Sequence, residues 1–167
     1  MNPLIKNRAL RTFASLLFVA HVFIVIKFVL LKNPDDLKSH FVHEYSADLL
    51  HENIAQGNYI PFYTVPFYIT GTDKLRYTKE NLVGNIVLFF PFGILLPLLF
   101  KNLSSFTKVL AITFAISLCL ELIQLFAILG NFDVDDILLN LFGASLGFGN
   151  YILVRELRRL LSIQISE

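Results

Sequence analysis

Asn85, Glu121, Gln124, Asp136 and Asn140 stand in stretches otherwise fit for hydrocarbon, with Asp133 at the edge of one. Two kinds of chemistry fit these residue types. Burial raises a carboxyl pKa toward neutrality, so Glu121 is a candidate general base, with Asp136 as its partner or as a cation holder. Amides and carboxylates at the rim of a cavity would instead contact a polar headgroup or a sugar. The spacing is ordered. Thr113, Ser117, Glu121 and Gln124 are separated by four, four and three residues, which puts them on one face of a helix. Asp136, Asn140, Gly143, Gly147 and Asn150 make a second stripe, and Asn81 and Asn85 lie one turn apart at the head of a third. Polar side chains inside a bilayer are expensive and by default mark function. Hydrogen bonds between such residues are worth only about 1 kcal/mol each, so stability alone is a weak reason for so many.

Other chemistries are poorly served. The sequence holds no serine–histidine–acid set, zinc motif or phosphate-binding glycine loop. His40, His43 and His51, with Glu44, carry metal-ligating atoms, but their spacing fits no defined motif; a solvated polar face is the expected role. No metal and no cofactor is expected. Cys119 is the single cysteine, which excludes an intramolecular disulfide and a cysteine-based zinc site. The formal net charge of +1, without a basic patch, argues against nucleic acid as a partner.

Four elements must position these side chains. Hydrophobic residues make up 55% of the 167 residues and charged ones only 16%, well short of the quarter or so usual in soluble domains. The expected fold is an all-α integral membrane protein, one domain over residues 1–167, with transmembrane helices at 12–31, 82–100, 108–129 and 134–154. The first follows Lys6, Arg8 and Arg11 but is too long for a signal-peptide core and has no cleavage site after it, so it reads as a retained anchor. Lys and Arg in the short flanks set the orientation. Lys6, Arg8, Arg11, Lys101, Lys108, Arg155, Arg158 and Arg159 place both termini and the second–third connection in the cytoplasm. The tail, 155–167, reads as a basic anchor lying on the inner leaflet.

Residues 33–81 then form an extracellular loop between helices 1 and 2. Phe41, Tyr45 and Leu49 recur every four residues opposite His40, Glu44, Asp48 and His51, the pattern of an amphipathic helix from Leu37 to Asn53. Tyr59 to Ile69 is aromatic, too short to span and interrupted by Pro61 and Pro66; it suits an interfacial or re-entrant segment. With the loop outside, Asn85, Glu121, Gln124, Asp136 and Asn140 all fall in the outer half of the membrane, Glu121 about 12 Å below the helix end. They are expected to share one polar cavity.

The motifs resemble those of the VanZ-like family. Asn85 to Phe90 followed by Pro91-Phe92-Gly93 is similar to its second-helix motif, and Glu121-Leu122-Ile123-Gln124 to its E-x-x-Q. Asp133, Asp136, Asn140 and Gly143 match its D-x-x-D-x-x-x-N-x-x-G, and Asn58, Pro61 and Phe62 its N-x-x-P-F. The resemblance covers about 58–147. One departure is Gly130, where many members carry an Arg; Arg76 or Lys79 would have to replace it if an anion is bound. The resemblance implies a multi-pass protein of the bacterial plasma membrane, associated with resistance to glycopeptide antibiotics such as teicoplanin. Asn58, Pro61, Phe62, Asn85, Glu121, Gln124, Asp133, Asp136 and Asn140 become the candidate ligand-binding set. Two functions stay open. The first is binding of an outer-leaflet lipid, a lipid-linked cell-wall precursor or the acyl chain of a lipoglycopeptide antibiotic. The second is an intramembrane enzyme acting on a lipid-linked cell-wall intermediate, with Glu121 and Asp136 as acid–base pair. A proton or cation pathway ranks last, because the polar stripes stop halfway.

Overall fold

The computed structural model describes residues 7–30, 47–63 and 78–164. They form α1 (Arg8–Leu30), α2 (Ala47–Ala55), α3 (Thr78–Leu99), a 3₁₀ turn (Lys101–Leu103), α4 (Phe106–Phe126) and α5 (Val134–Gln164). The described residues are helical without a strand, and α1, α3, α4 and α5 are each long and apolar enough to cross a membrane. The first three long helices begin and end within four residues of their expected limits. The first part of the expected amphipathic helix, including His40, His43, Phe41 and Tyr45, lies outside the described residues, as do Pro66 and Arg76.

One boundary is corrected. α5 does not stop at 154 with a separate tail; it runs unbroken for 31 residues to Gln164, about 46 Å. Beyond Asn150 there is no Gly or Pro to end it, and Leu, Arg and Glu are good helix formers. Glu156 is bridged by Arg155 (2.9 Å) and, one turn on, by Arg159 (3.5 Å).

The tightest pairing is between α3 and α5, which run parallel. A Cβ on Gly143 would strike the carbonyl oxygen of Ile86, one on Gly147 that of Phe90, and one on Gly93 that of Ala144. Glycine at these positions lets the two backbones touch, which is how helices associate where no hydrophobic effect separates lipid from protein. The polar stripe on α5 accordingly ends at Gly147, and Asn150 is exposed. Phe89, Phe92, Leu96, Val109, Leu120, Phe148 and Tyr151 fill the core between α3, α4 and α5.

α1 packs antiparallel to α3. Phe18 meets Phe92 and Phe100 edge-on, and its outer face (Phe13, Leu16, Phe23, Phe28) is exposed. His21 on α1 donates its Nε2–H to the Leu88 carbonyl at 2.8 Å. That carbonyl neighbours the Val87 carbonyl, which Pro91 deprives of its N–H partner.

α4 ends in a Schellman turn: the Leu129 N–H reaches the Gln124 carbonyl (2.8 Å) and the Ile128 N–H that of Leu125 (3.2 Å). The left-handed position is taken by Ile128 (φ 53°), a β-branched residue where glycine is usual. The tight reversal delivers the chain to Asp133 and the start of α5.

A four-segment junction as candidate functional site

Asp133 is the hinge of the site. It stands one residue before α5, and its Oδ1 accepts from the Asp135 N–H at 2.8 Å, an N-cap bond. The same oxygen accepts from Asn58 Nδ2 at 2.8 Å. Its own N–H donates to Glu121 Oε2 at 2.9 Å. One residue therefore ties α5, the segment after α2 and the buried end of α4.

The backbone reinforces the tie. Asn58 N–H donates to the Phe132 carbonyl (2.7 Å) and accepts at its own carbonyl from Val134 N–H (3.0 Å), a one-residue parallel bridge. Asn58 Oδ1 then accepts from the Ile60 N–H (3.1 Å), which starts the next turn. Ile60, Pro61, Phe62 and Tyr63 close that turn through the Tyr63 N–H to the Ile60 carbonyl (3.2 Å). Pro61 supplies the fixed φ at its second position, and Phe62 has φ 65° at its third, where a type II turn favours glycine. The Phe62 N–H donates to Asp135 Oδ1. The carboxylate anchors a residue in a conformation that L side chains disfavour, and the Phe62 ring is left 65% exposed. Tyr59, Ile60 and Tyr63 are exposed alongside it, with Tyr59 stacked on Phe132 at 5.4 Å.

Below the junction the polar stripe of α4 is buried as its spacing requires: Thr113, Ser117, Glu121 and Gln124 are all enclosed, Glu121 at 2% exposure. Asn85, Asp136 and Asn140 are buried as well. Their bonds go to several places. Asn140 Nδ2 donates to Ser117 Oγ (2.7 Å), and Gln124 Nε2 donates to the Val29 carbonyl, tying the end of α1 to α4 (2.7 Å). Asn85 Nδ2, Thr113 Oγ1 and Asn140 Oδ1 are buried with no partner among the described residues. In a low-dielectric core such atoms mark a place for water or a ligand group.

Two cavities flank this cluster. An open one of about 690 Å³ lies at the junction, between Gln56–Tyr63 and Asn131–Asp133. An apolar one of about 360 Å³ lies between α1, α3 and α4, against Phe18, Val25, Phe92, Ile116 and Cys119. Asn58 and Asp133 line the first; Glu121, Gln124, Asp136 and Asn140 line neither. Burial in this setting pushes the Asp133 carboxyl above its usual value of 3.8, and the charge of Asp136 pushes it further.

Among the candidates, the structure joins Asn58, Glu121 and Asp133 directly, and Phe62 through Asp135. Pro61 acts through the turn, and its side chain is exposed. Sequence reasoning did not single out Asp135 or Ser117 as site residues, nor the role of Gln56 and Asn131. The only available signal for Asp135 was its place among three acids at one helix start. His51 is exposed, and among the described residues no three His, Cys, Asp or Glu side chains come close enough to hold a metal. Gly130 faces open space, and its carbonyl accepts weakly from Asn53 Nδ2 (3.4 Å).

Comparison with known proteins agrees with these motifs. The VanZ/LLP1 family profile matches residues 18–155. Protein VanZ of Enterococcus faecium is 33% identical over 86 residues, which is 52% of this chain and 49% of that protein. The chain therefore aligns with about half the length of that relative. No solved structure matches the chain significantly.

Proposed function

We propose that this chain, which belongs to the VanZ-like family, protects the bacterial envelope against glycopeptide antibiotics by binding a lipid-anchored molecule at the junction of Asn58, Glu121 and Asp133. The ligand is an outer-leaflet lipid, a lipid-linked cell-wall precursor or a lipoglycopeptide antibiotic. The observation that carries this reading is the junction itself. A buried glutamate, a helix cap and a strained aromatic turn from separate parts of the chain are tied together beside an open cavity.

Two further features support it. Tyr59 and Tyr63 line the cavity and Phe62 is exposed in the same turn, and aromatic rings of this kind settle at the headgroup level of a bilayer. The apolar recess between α1, α3 and α4 suits an acyl chain and offers nothing to a polar group. In this reading the junction faces outward. Arg8, Arg11, Lys101, Lys108, Arg158 and Arg159 lie at the opposite ends of the long helices, the ends that the positive-inside rule assigns to the cytoplasm in this reading.

The test is teicoplanin susceptibility of cells carrying Asn58→Ala or Asp133→Ala at wild-type membrane levels. Both are expected to lose protection. Full protection by both would refute the reading.

A further inference from the structure

The junction cavity has a chemical character of its own. Its walls carry Gln56, Asn58 and Asn131 as side-chain amides, Asp133 as a carboxylate, and Tyr59 and Tyr63 as rings. Each amide spends part of its capacity within the protein. Gln56 Nε2 donates to Glu52 (2.9 Å), Asn131 Nδ2 to Gln56 Oε1 (3.4 Å), and Asn58 Nδ2 to Asp133 Oδ1. An amide nitrogen has two hydrogens, so among the described residues each of the three keeps one to offer. Asp133 Oδ1 takes both of its carboxylate's recorded hydrogen bonds, and Oδ2 has none among the described residues.

We propose that this cavity is a saccharide subsite, which holds the sugar of a glycosylated lipid or glycopeptide. A sugar presents adjacent hydroxyls that donate and accept at once, and a ring face of C–H groups. Amides supply donors and acceptors within one group, and a carboxylate oxygen accepts from a hydroxyl without needing a cation. The exposed Tyr59 and Tyr63 rings offer flat apolar surface with polar tips, the arrangement that pairs with a sugar face. Phe132 stacks on Tyr59 at an interplanar angle of 12°, which stiffens that ring before any ligand arrives. Among the described residues, no Lys or Arg lines the cavity. A phosphate group would meet the Asp133 carboxylate there, whereas a sugar hydroxyl can donate to it, so the described lining favours the sugar.

The inference rests on the proposed function for the ligand being lipid-anchored, and its test separates the two. The full chain is placed in phosphatidylglycerol nanodiscs. Saturation-transfer NMR is then run with maltose, N,N′-diacetylchitobiose, glycerol 3-phosphate and ethanolamine as probes. At least one disaccharide is expected to receive saturation, strongest at ring-face protons, and the two small headgroup probes none. Gln56→Ala and Asn131→Ala remove exposed amides whose bonds are a long one to each other and, for Gln56, one to the exposed Glu52 side chain, so the fold is kept. Each is expected to weaken saccharide binding about tenfold, the worth of one hydrogen bond. Asp133→Asn, which keeps the cap, serves as a second variant and should also weaken it. Absence of saccharide saturation, saturation of ethanolamine or glycerol 3-phosphate in its place, or binding unchanged in all three variants would overturn the assignment. Sugar binding that is lost in these variants while teicoplanin protection stays intact would uphold the subsite and sink the resistance reading instead.

Discussion

Asp133 concentrates the site into one side chain, because its carboxylate caps α5, holds Asn58 and borders the cavity. Asp133→Ala should lower unfolding stability by at least the cost of a lost N-cap, about 1 kcal/mol. Asp133→Asn, a good cap in its own right, should lose much less. Denaturation in nanodiscs followed by circular dichroism measures both. The carboxyl also predicts a pH dependence. Its pKa in the folded protein is raised above 3.8, first by burial and then by Asp136, so the folded form holds the proton more tightly. The linked stabilisation is present below pH 3.8 and is lost as pH rises through the raised value. Carboxyl ¹³C NMR should find Asp133 titrating above the usual range, and Asp136→Asn should bring it down. A titration at or below 3.8 would contradict the account. At this scale the sequence was informative about residue types and silent about pairings. Glu121 was recognisable as an odd residue in its setting, and Asn58 came only through the family motif. That both converge on Asp133 depends on the turn after α4, where Ile128 adopts a conformation no propensity favours. The bonds of Gln124 to Val29 and of Asn140 to Ser117 depend on helix rotation, which spacing within one helix does not fix.

Among the elements, the α3–α5 contact makes the sharpest demand. Gly147 lies against the Phe90 backbone, so Gly147→Leu must push the helices apart. Overpacking of this kind costs about 1–3 kcal/mol, and thermal unfolding should show the loss. Gly149 meets nothing within 4 Å, so Gly149→Ala should leave the protein as stable as wild type or more so. Ile128 makes an opposite prediction. Glycine there removes a Cβ clash worth about 1–2 kcal/mol, partly offset by its greater unfolded entropy of about 0.5–1 kcal/mol. Ile128→Gly should therefore raise the unfolding temperature, and a fall would show that its side-chain packing outweighs the strain. The small-residue spacing of Gly143 and Gly147 was readable as a packing motif, since only close backbones need it. The end of α5 was not. A span-length argument stops a helix where hydrocarbon ends, whereas continuous helix formers and the Glu156 ion pairs carry it ten residues further.

For the whole molecule, hydropathy alone separated four long helices, because about 20 apolar residues have one economical solution in a bilayer. Their association was beyond its reach: apolar faces toward lipid and toward protein look alike in sequence, and glycines and buried polar groups decide. The family profile over residues 18–155 places the motifs in a known membrane family. Glu121 serves the junction by accepting a hydrogen bond from the Asp133 backbone. Glu121→Gln retains an oxygen that can accept, and Glu121→Leu retains neither oxygen. The decisive measurement is teicoplanin susceptibility of cells carrying each variant at equal membrane levels. Gln is predicted to keep most of the protection and Leu to lose it. Loss in both would favour acid–base catalysis by Glu121, and protection retained by Leu would contradict the account.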